Sequence, residues 1–181
     1  MRRAVFLDRD GTILNDRGYL SDPRKMVFYP TAFKGLAELQ KAGFVLIIVS
    51  NQSGVGRGYF SLNALHKING IFKKKLAQRG IRILDIYFCP HLPEADCACR
   101  KPKPGMILKA ARKWKIDLKN SFVVGDQLRD VELARGVGSR GVLVLTGAGK
   151  YYREPVLKSH GKVAKNLETA SRWIKRQSLT K

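Results

Sequence analysis

The sequence contains no long apolar run. Its longest, residues 44–49, is six residues, far short of the roughly 20 that a membrane-spanning helix needs. The Met1-Arg2-Arg3 start is followed only by residues 4–7 before charge returns at Asp8, too little for the apolar segment of a signal peptide. A cytoplasmic, soluble protein is expected. Carboxylates are scarce: 14 Asp and Glu stand against 35 Lys and Arg, for a net charge of +21. Such a balance attracts polyanions, whether nucleic acid, an anionic membrane surface or phosphorylated substrates. The cations are nevertheless spread along the chain. Their densest stretches, 73–75 and 150–181, are not interleaved with aromatics in a way that suggests base stacking. Charge alone therefore establishes no nucleic-acid partner, and a solvated basic surface is the plainer reading. Cysteine is also scarce. Cys89, Cys97 and Cys99 are three in all; an odd, clustered set is a poor disulfide framework and suits a metal site in a reducing compartment.

What is present suffices for one compact domain over residues 1–181, at 44% hydrophobic content, and a monomer is expected. Strand and helix patterns alternate throughout. Residues 3–7, 44–49, 83–88, 121–124 and 142–145 read as strands. Residues 31–42, 61–80, 105–114, 127–134 and 167–176 read as helices. Ser61 is a plausible N-cap, and Leu62, Leu65, Ile68, Phe72 and Leu76 form one core stripe. Residues 146–162 are weakly patterned and are expected to be a mobile surface segment. This order predicts an α/β fold: a three-layer, Rossmann-like parallel sheet with helices on both faces and no large cap domain.

Parallel sheets bind ligands beyond the carboxyl ends of their strands, and there the sequence concentrates polar groups. Asp8-Arg9-Asp10-Gly11-Thr12 follows the first strand and Ser50-Asn51-Gln52-Ser53-Gly54 the second. Arg100-Lys101-Pro102 follows the third strand and its loop, and Gly125-Asp126-Gln127-Leu128-Arg129-Asp130 closes the fourth. The set suits phosphoryl transfer. A carboxylate serves as covalent nucleophile, and an acid two positions on protonates the leaving oxygen and later activates water. Asp8 and Asp126 offer hard oxygen ligands to Mg²⁺, while Lys101 and the Ser50 hydroxyl hold phosphate oxygens. A lone D-x-D is usually a solvated turn; four elements in order, each at a strand end, are a strong signal.

Cys89-x-His91 with Cys97-x-Cys99 supplies three sulfurs and one imidazole, a closed tetrahedral zinc set. A closed set implies a structural zinc within a small loop, about 89–99, fixing the direction of Arg100 and Lys101. His66 has no partner in the pattern and reads as a surface residue.

These motifs resemble those of the haloacid dehalogenase superfamily along nearly the whole chain. The resemblance implies Asp8 as nucleophile, Asp10 as acid–base, Ser50 and Lys101 as the second- and third-motif residues, Asp126 as metal ligand and Asp130 as the second acid of the fourth motif. It also implies that the Asp10 backbone carbonyl completes the magnesium site. More narrowly, D-R-D-G-T, N-Q-S-G-V-G-R-G and C-P-H with C-x-C-R-K-P are similar to the D-glycero-D-manno-heptose 1,7-bisphosphate phosphatases. That likeness implies substrate contacts from Asp16, Arg17, Gly18 and Tyr19, from Ser50, Asn51, Gln52 and Ser53, and from Arg100 and Lys101. Gln127 stands where that family often has lysine, and Arg57 is either a secondary site residue or a surface charge. The run Cys89-Pro90-His91-Leu92-Pro93 looks closer to the related histidinol-phosphate phosphatases. Three readings follow: the heptose phosphatase, the histidinol phosphatase and, from another class, a nucleic-acid-binding protein or DNA 3′-phosphatase.

Overall fold

A computed structural model of the chain describes residues 1–16 and 18–179. Six parallel strands form one sheet in the order β3-β2-β1-β4-β5-β6. They are β1 (Ala4–Leu7), β2 (Val45–Asn51), β3 (Ile83–Cys89), β4 (Phe122–Gly125), β5 (Arg140–Val144) and β6 (Lys162–Ala164). The helices are α1 (Pro30–Lys41), α2 (Leu62–Ala77), α3 (Gly105–Trp114), α4 (Leu128–Gly136), α5 (Arg153–Lys158) and α6 (Leu167–Leu179). Among the described residues no helix is long and apolar enough to cross a membrane.

Successive side chains of a strand face opposite ways, and the core divides accordingly. Val5, Leu7, Leu46, Ile48 and Val124 face one layer, meeting Leu36 and Leu39 of α1, Phe72 of α2 and Ile174 of α6. Ala4, Phe6, Ile47, Val49 and Val123 face the other, meeting Ile107 and Ala110 of α3 and Leu133 of α4. The strands are buried on both faces, which is why they read as unbroken apolar runs. Helix ends follow local chemistry. Pro30 opens α1, where its missing N–H costs nothing. The Ser61 hydroxyl accepts from Ala64 N at the start of α2.

Strand order reverses between β1 and β4, which lie side by side. Connections leave in opposite directions at that point and open a crevice above it. The expected fold is therefore present, with two corrections. Ser50 and Asn51 lie within β2 rather than after it. Residues 146–162 are not an unstructured segment. They form a 3-10 turn (Gly149–Tyr152), helix α5 and strand β6, held by the fully buried Val156 packing against Val131 and Leu143. A strand of three residues and a helix of six are too short to show a period.

Candidate active site

The loop after β1 turns at once because Gly11 has φ +81°, a left-handed conformation that glycine adopts without strain. A Cβ there would also collide with the Asp126 carboxylate. Gly11 thus lets the β1 loop lie directly against the end of β4. Lys101 enters from the opposite side. Its backbone is clasped by Asn51, whose Oδ1 accepts from Lys101 N at 3.0 Å and whose Nδ2 donates to Lys101 O at 3.3 Å. Its ammonium lies 3.0 Å from Asp8 Oδ1 and 2.7 Å from Asp130 Oδ1, and donates to the Val49 carbonyl at 3.0 Å.

Arg9 is almost wholly enclosed, at 1% exposure. Its guanidinium grips Asp10, with Nη2 2.7 Å from Oδ2, and donates to Asn69 Oδ1 at 2.9 Å and Gln52 Oε1 at 3.1 Å. Gln52 Nε2 in turn donates to Asp10 Oδ2 and Ser50 Oγ, both at 2.8 Å. Asp10 is therefore aimed by a buried network rather than left to rotate. Asn69 comes from α2 and was not anticipated; the available signal was a polar side chain on a buried helix stripe. Arg9 had no assigned role in the sequence and here acquires one.

The carboxylates of Asp8, Asp126 and Asp130 offer oxygens within 4.8 Å of one another. Burial pushes Asp8 up to about 6, with Lys101 pulling down and Asp130 and Asp10 pushing up. Burial and the nearby Asp8 push Asp126 up to about 8. On Lys101, burial works against the charge, but Asp130 and Asp8 outweigh it and hold the ammonium above its usual range. Asp126 Oδ2 accepts from Ala148 N at 2.8 Å, yet its Oδ1 is buried without a partner. A buried carboxylate oxygen left unpaired beside two other carboxylates fits a hard divalent cation. Ala148 and Thr146, whose hydroxyl donates to Gly11 O at 2.7 Å, belong to the segment the sequence left unpatterned.

These groups line one cavity of about 410 Å³. Asp8, Ser50 and Lys101 are buried at its floor, and Asp16, Gly18, Tyr19, Asn51, Gln52 and Ser53 lie along its wall. Arg57, Arg100 and Arg129 bring guanidinium groups to its rim, where Arg129 Nη2 contacts Gln127 Oε1. Arg129 was missed from sequence. Gln127 caps α4, its backbone N donating to Asp130 Oδ2 at 3.1 Å. Asp16 accepts from Gly18 N at 2.9 Å, shaping the turn that carries Tyr19, whose ring meets Tyr59 edge-on at 4.7 Å. Arg17 lies outside the described residues. His66 is exposed, as expected.

Cys89, at the end of β3, gathers with His91, Cys97 and Cys99. Sγ of Cys97 lies 3.4 Å from Sγ of both Cys89 and Cys99. His91 Nδ1 is 3.6 Å from Cys89 and 3.4 Å from Cys99. A tetrahedron with metal–sulfur bonds of about 2.3 Å has edges of about 3.8 Å, so the donor set is close to the size zinc requires. Burial drives the Cys89 thiol up to about 12. Burial opposes ionisation of Cys97 as well, but hydrogen bonds from Cys99 and Cys89 bring it down to about 6.

The HAD-hydrolase-like family model matches residues 98–170. The D-glycero-beta-D-manno-heptose-1,7-bisphosphate 7-phosphatase of Pasteurella multocida is 37% identical over 97% of this chain and 98% of its own length. The protein of the same name from Haemophilus influenzae is 41% identical over 81% of this chain and 84% of its own. Among solved structures, D,D-heptose 1,7-bisphosphate phosphatase from B. bronchiseptica, complexed with magnesium and phosphate, superposes with a TM-score of 0.87. It is 32% identical, covering 97% of this chain and 99% of that one. Fold, strand-end carboxylates and full-length likeness agree: this chain belongs to the D-glycero-D-manno-heptose-1,7-bisphosphate 7-phosphatase family of the HAD-like hydrolases.

Proposed function

We propose that the chain hydrolyses the C7 phosphate of D-glycero-D-manno-heptose 1,7-bisphosphate through an aspartyl-phosphate on Asp8. The carrying observation is one cavity with Asp8, Asp10, Ser50 and Lys101 on its inner side and Arg57, Arg100 and Arg129 at its rim. The inner set suits the phosphoryl group that is transferred. Three rim guanidiniums suit a second phosphate on the same substrate and oppose the ammonium of histidinol phosphate. This favours the bisphosphate over the histidinol reading.

In the first half-reaction the Asp8 carboxylate attacks phosphorus, and the bond from phosphorus to the C7 oxygen breaks. Asp10, oriented by Arg9 and Gln52, protonates that oxygen as the sugar leaves. In the second half-reaction Asp10 takes a proton from water, which attacks the phosphorus and returns Asp8 as carboxylate with release of phosphate. The Ser50 hydroxyl and Lys101 ammonium hold the non-bridging oxygens throughout. Asp8, Asp126 and the Asp10 backbone carbonyl would hold Mg²⁺, with Asp130 beside them; the ion supplies positive charge that lets two anions meet. Asp16, Gly18, Tyr19, Asn51, Gln52, Ser53 and Gln127 would contact the sugar. Cys89, His91, Cys97 and Cys99 would hold a structural Zn²⁺. We take the chain to act as a single-domain, cytoplasmic monomer.

A panel of phosphorylated metabolites tests the assignment. The heptose 1,7-bisphosphate is expected to have the highest kcat/KM; equal or better turnover of histidinol phosphate refutes the substrate assignment.

A further inference from the structure

The sheet has two ends of opposite character. All its strands run one way, so the residues entering them lie at one end and the cavity at the other. Exposed Arg2, Lys41, Arg82 and Lys119 lie on the approaches to β1, β2, β3 and β4. Helices return to the same end. Exposed Lys73, Lys74, Lys75 and Arg79 close α2, and exposed Arg112, Lys113 and Lys115 close α3. The acids here are already engaged: Asp85 accepts from Lys113 Nζ at 2.9 Å and Trp114 Nε1 at 3.0 Å, and Asp117 accepts from Asn120 Nδ2 at 2.7 Å. By contrast, Asp8, Asp10, Asp16, Asp126 and Asp130 gather at the cavity end. Cations at helix C-termini suit the helix dipole, but Arg82 and Lys119 precede strands and have no such reason to be there.

Aromatic rings at the basic end are covered. Arg3 lies over Phe44 at 4.7 Å, Arg79 over Phe33 at 4.1 Å and Arg140 over Phe122 at 4.4 Å. The exposed rings of Tyr19 and Tyr59 lie toward the cavity instead. Base stacking therefore has no platform here. The cations also spread in two dimensions, along a sheet edge about 25 Å wide at ordinary strand spacing and onto helices of both layers. A planar array of anions meets them all at once, whereas a rod-shaped polyanion meets only a stripe.

We propose that this end docks the protein on anionic bilayer surfaces through phosphate headgroups, leaving the cavity open to solution. Attraction of this kind needs no inserted side chain and is screened by salt.

Co-sedimentation of the full chain with phosphatidylcholine vesicles containing about 30 mol% phosphatidylglycerol tests it. Binding is expected at about 50 mM salt and is expected to weaken at least about tenfold by about 300 mM, with none to pure phosphatidylcholine. Combining Lys73→Glu, Lys74→Glu, Lys75→Glu and Arg82→Glu should weaken it at least about tenfold with kcat unchanged. If that variant is misfolded by circular dichroism, Arg112→Glu with Lys115→Glu and Lys119→Glu replaces it. Reversing Lys150, Arg153 and Lys165, at the cavity end, should weaken binding far less. Three results overturn the proposal: no binding to anionic vesicles at low salt, equal loss from the cavity-end variant, or tighter binding to duplex DNA at matched phosphate concentration.

Discussion

Arg9 shows how a single side chain converts burial into direction. Its guanidinium is out of water and satisfied by Asp10, Asn69 and Gln52. Arg9→Met should cost about 2–4 kcal/mol by leaving those partners unmatched, measured by urea unfolding, and should lower kcat as Asp10 loses its aim. Asp8→Asn should lower kcat at least about 10³-fold with an unchanged circular dichroism spectrum; near-normal turnover would mean that another group is the nucleophile. Arg129→Ala should raise KM about tenfold for a sugar bisphosphate and little for the corresponding monophosphate. Equal effects on both would remove Arg129 from recognition of the second phosphate. The residues that carry these arguments were unequally legible. Asp8, Asp10, Ser50, Lys101 and Asp126 were readable because each follows or ends a buried strand. The Arg9–Asn69 bond was not, because it joins residues 60 apart on a loop and a helix, and no local pattern encodes that meeting.

At the scale of elements, β1 and β4 act as a pair of arms bringing carboxylates together, and the 89–104 segment delivers Lys101 between them. That segment leaves β3 at Cys89, passes the cysteine–histidine cluster and is anchored again where Asn51 clasps Lys101. Cys97→Ser should abolish bound zinc by elemental analysis and raise KM several-fold, since Arg100 and Lys101 follow the cluster directly; retained zinc at one per chain would contradict the ligand set. The cluster was readable from spacing alone, because four donors in two close pairs have few other uses. The segment 146–162 was not readable. Its fold rests on Val156 and on close approaches such as that of Gly149 to the Val144 carbonyl, features that exist only once β5 is in place.

For the molecule as a whole, the buried acids of the site set a dependence on pH. Asp8 and Asp126 titrate near 6 and near 8 when folded, against 3.8 unperturbed. A carboxyl raised on folding contributes stability in full below its unfolded value, and that contribution is lost as pH rises through the folded one. In the presence of chelator the melting temperature should therefore fall between about pH 4 and about pH 8. Added Mg²⁺ should raise it more at the upper end than at the lower. Asp126→Asn should flatten the chelated profile and remove most of the Mg²⁺ effect; a wild-type profile in that variant would contradict the placement of the cation.

The reversal of strand order between β1 and β4 has a consequence in time. Ala4 N meets Ser121 Oγ across 117 positions of sequence, and the β1 and β4 carboxylates cannot approach until everything between them has been laid down. Pairings this distant form late on a folding pathway. After dilution from denaturant, hydrolysis should return more slowly than the helical signal, and a chain still emerging during synthesis would stay inert until its fourth strand arrived.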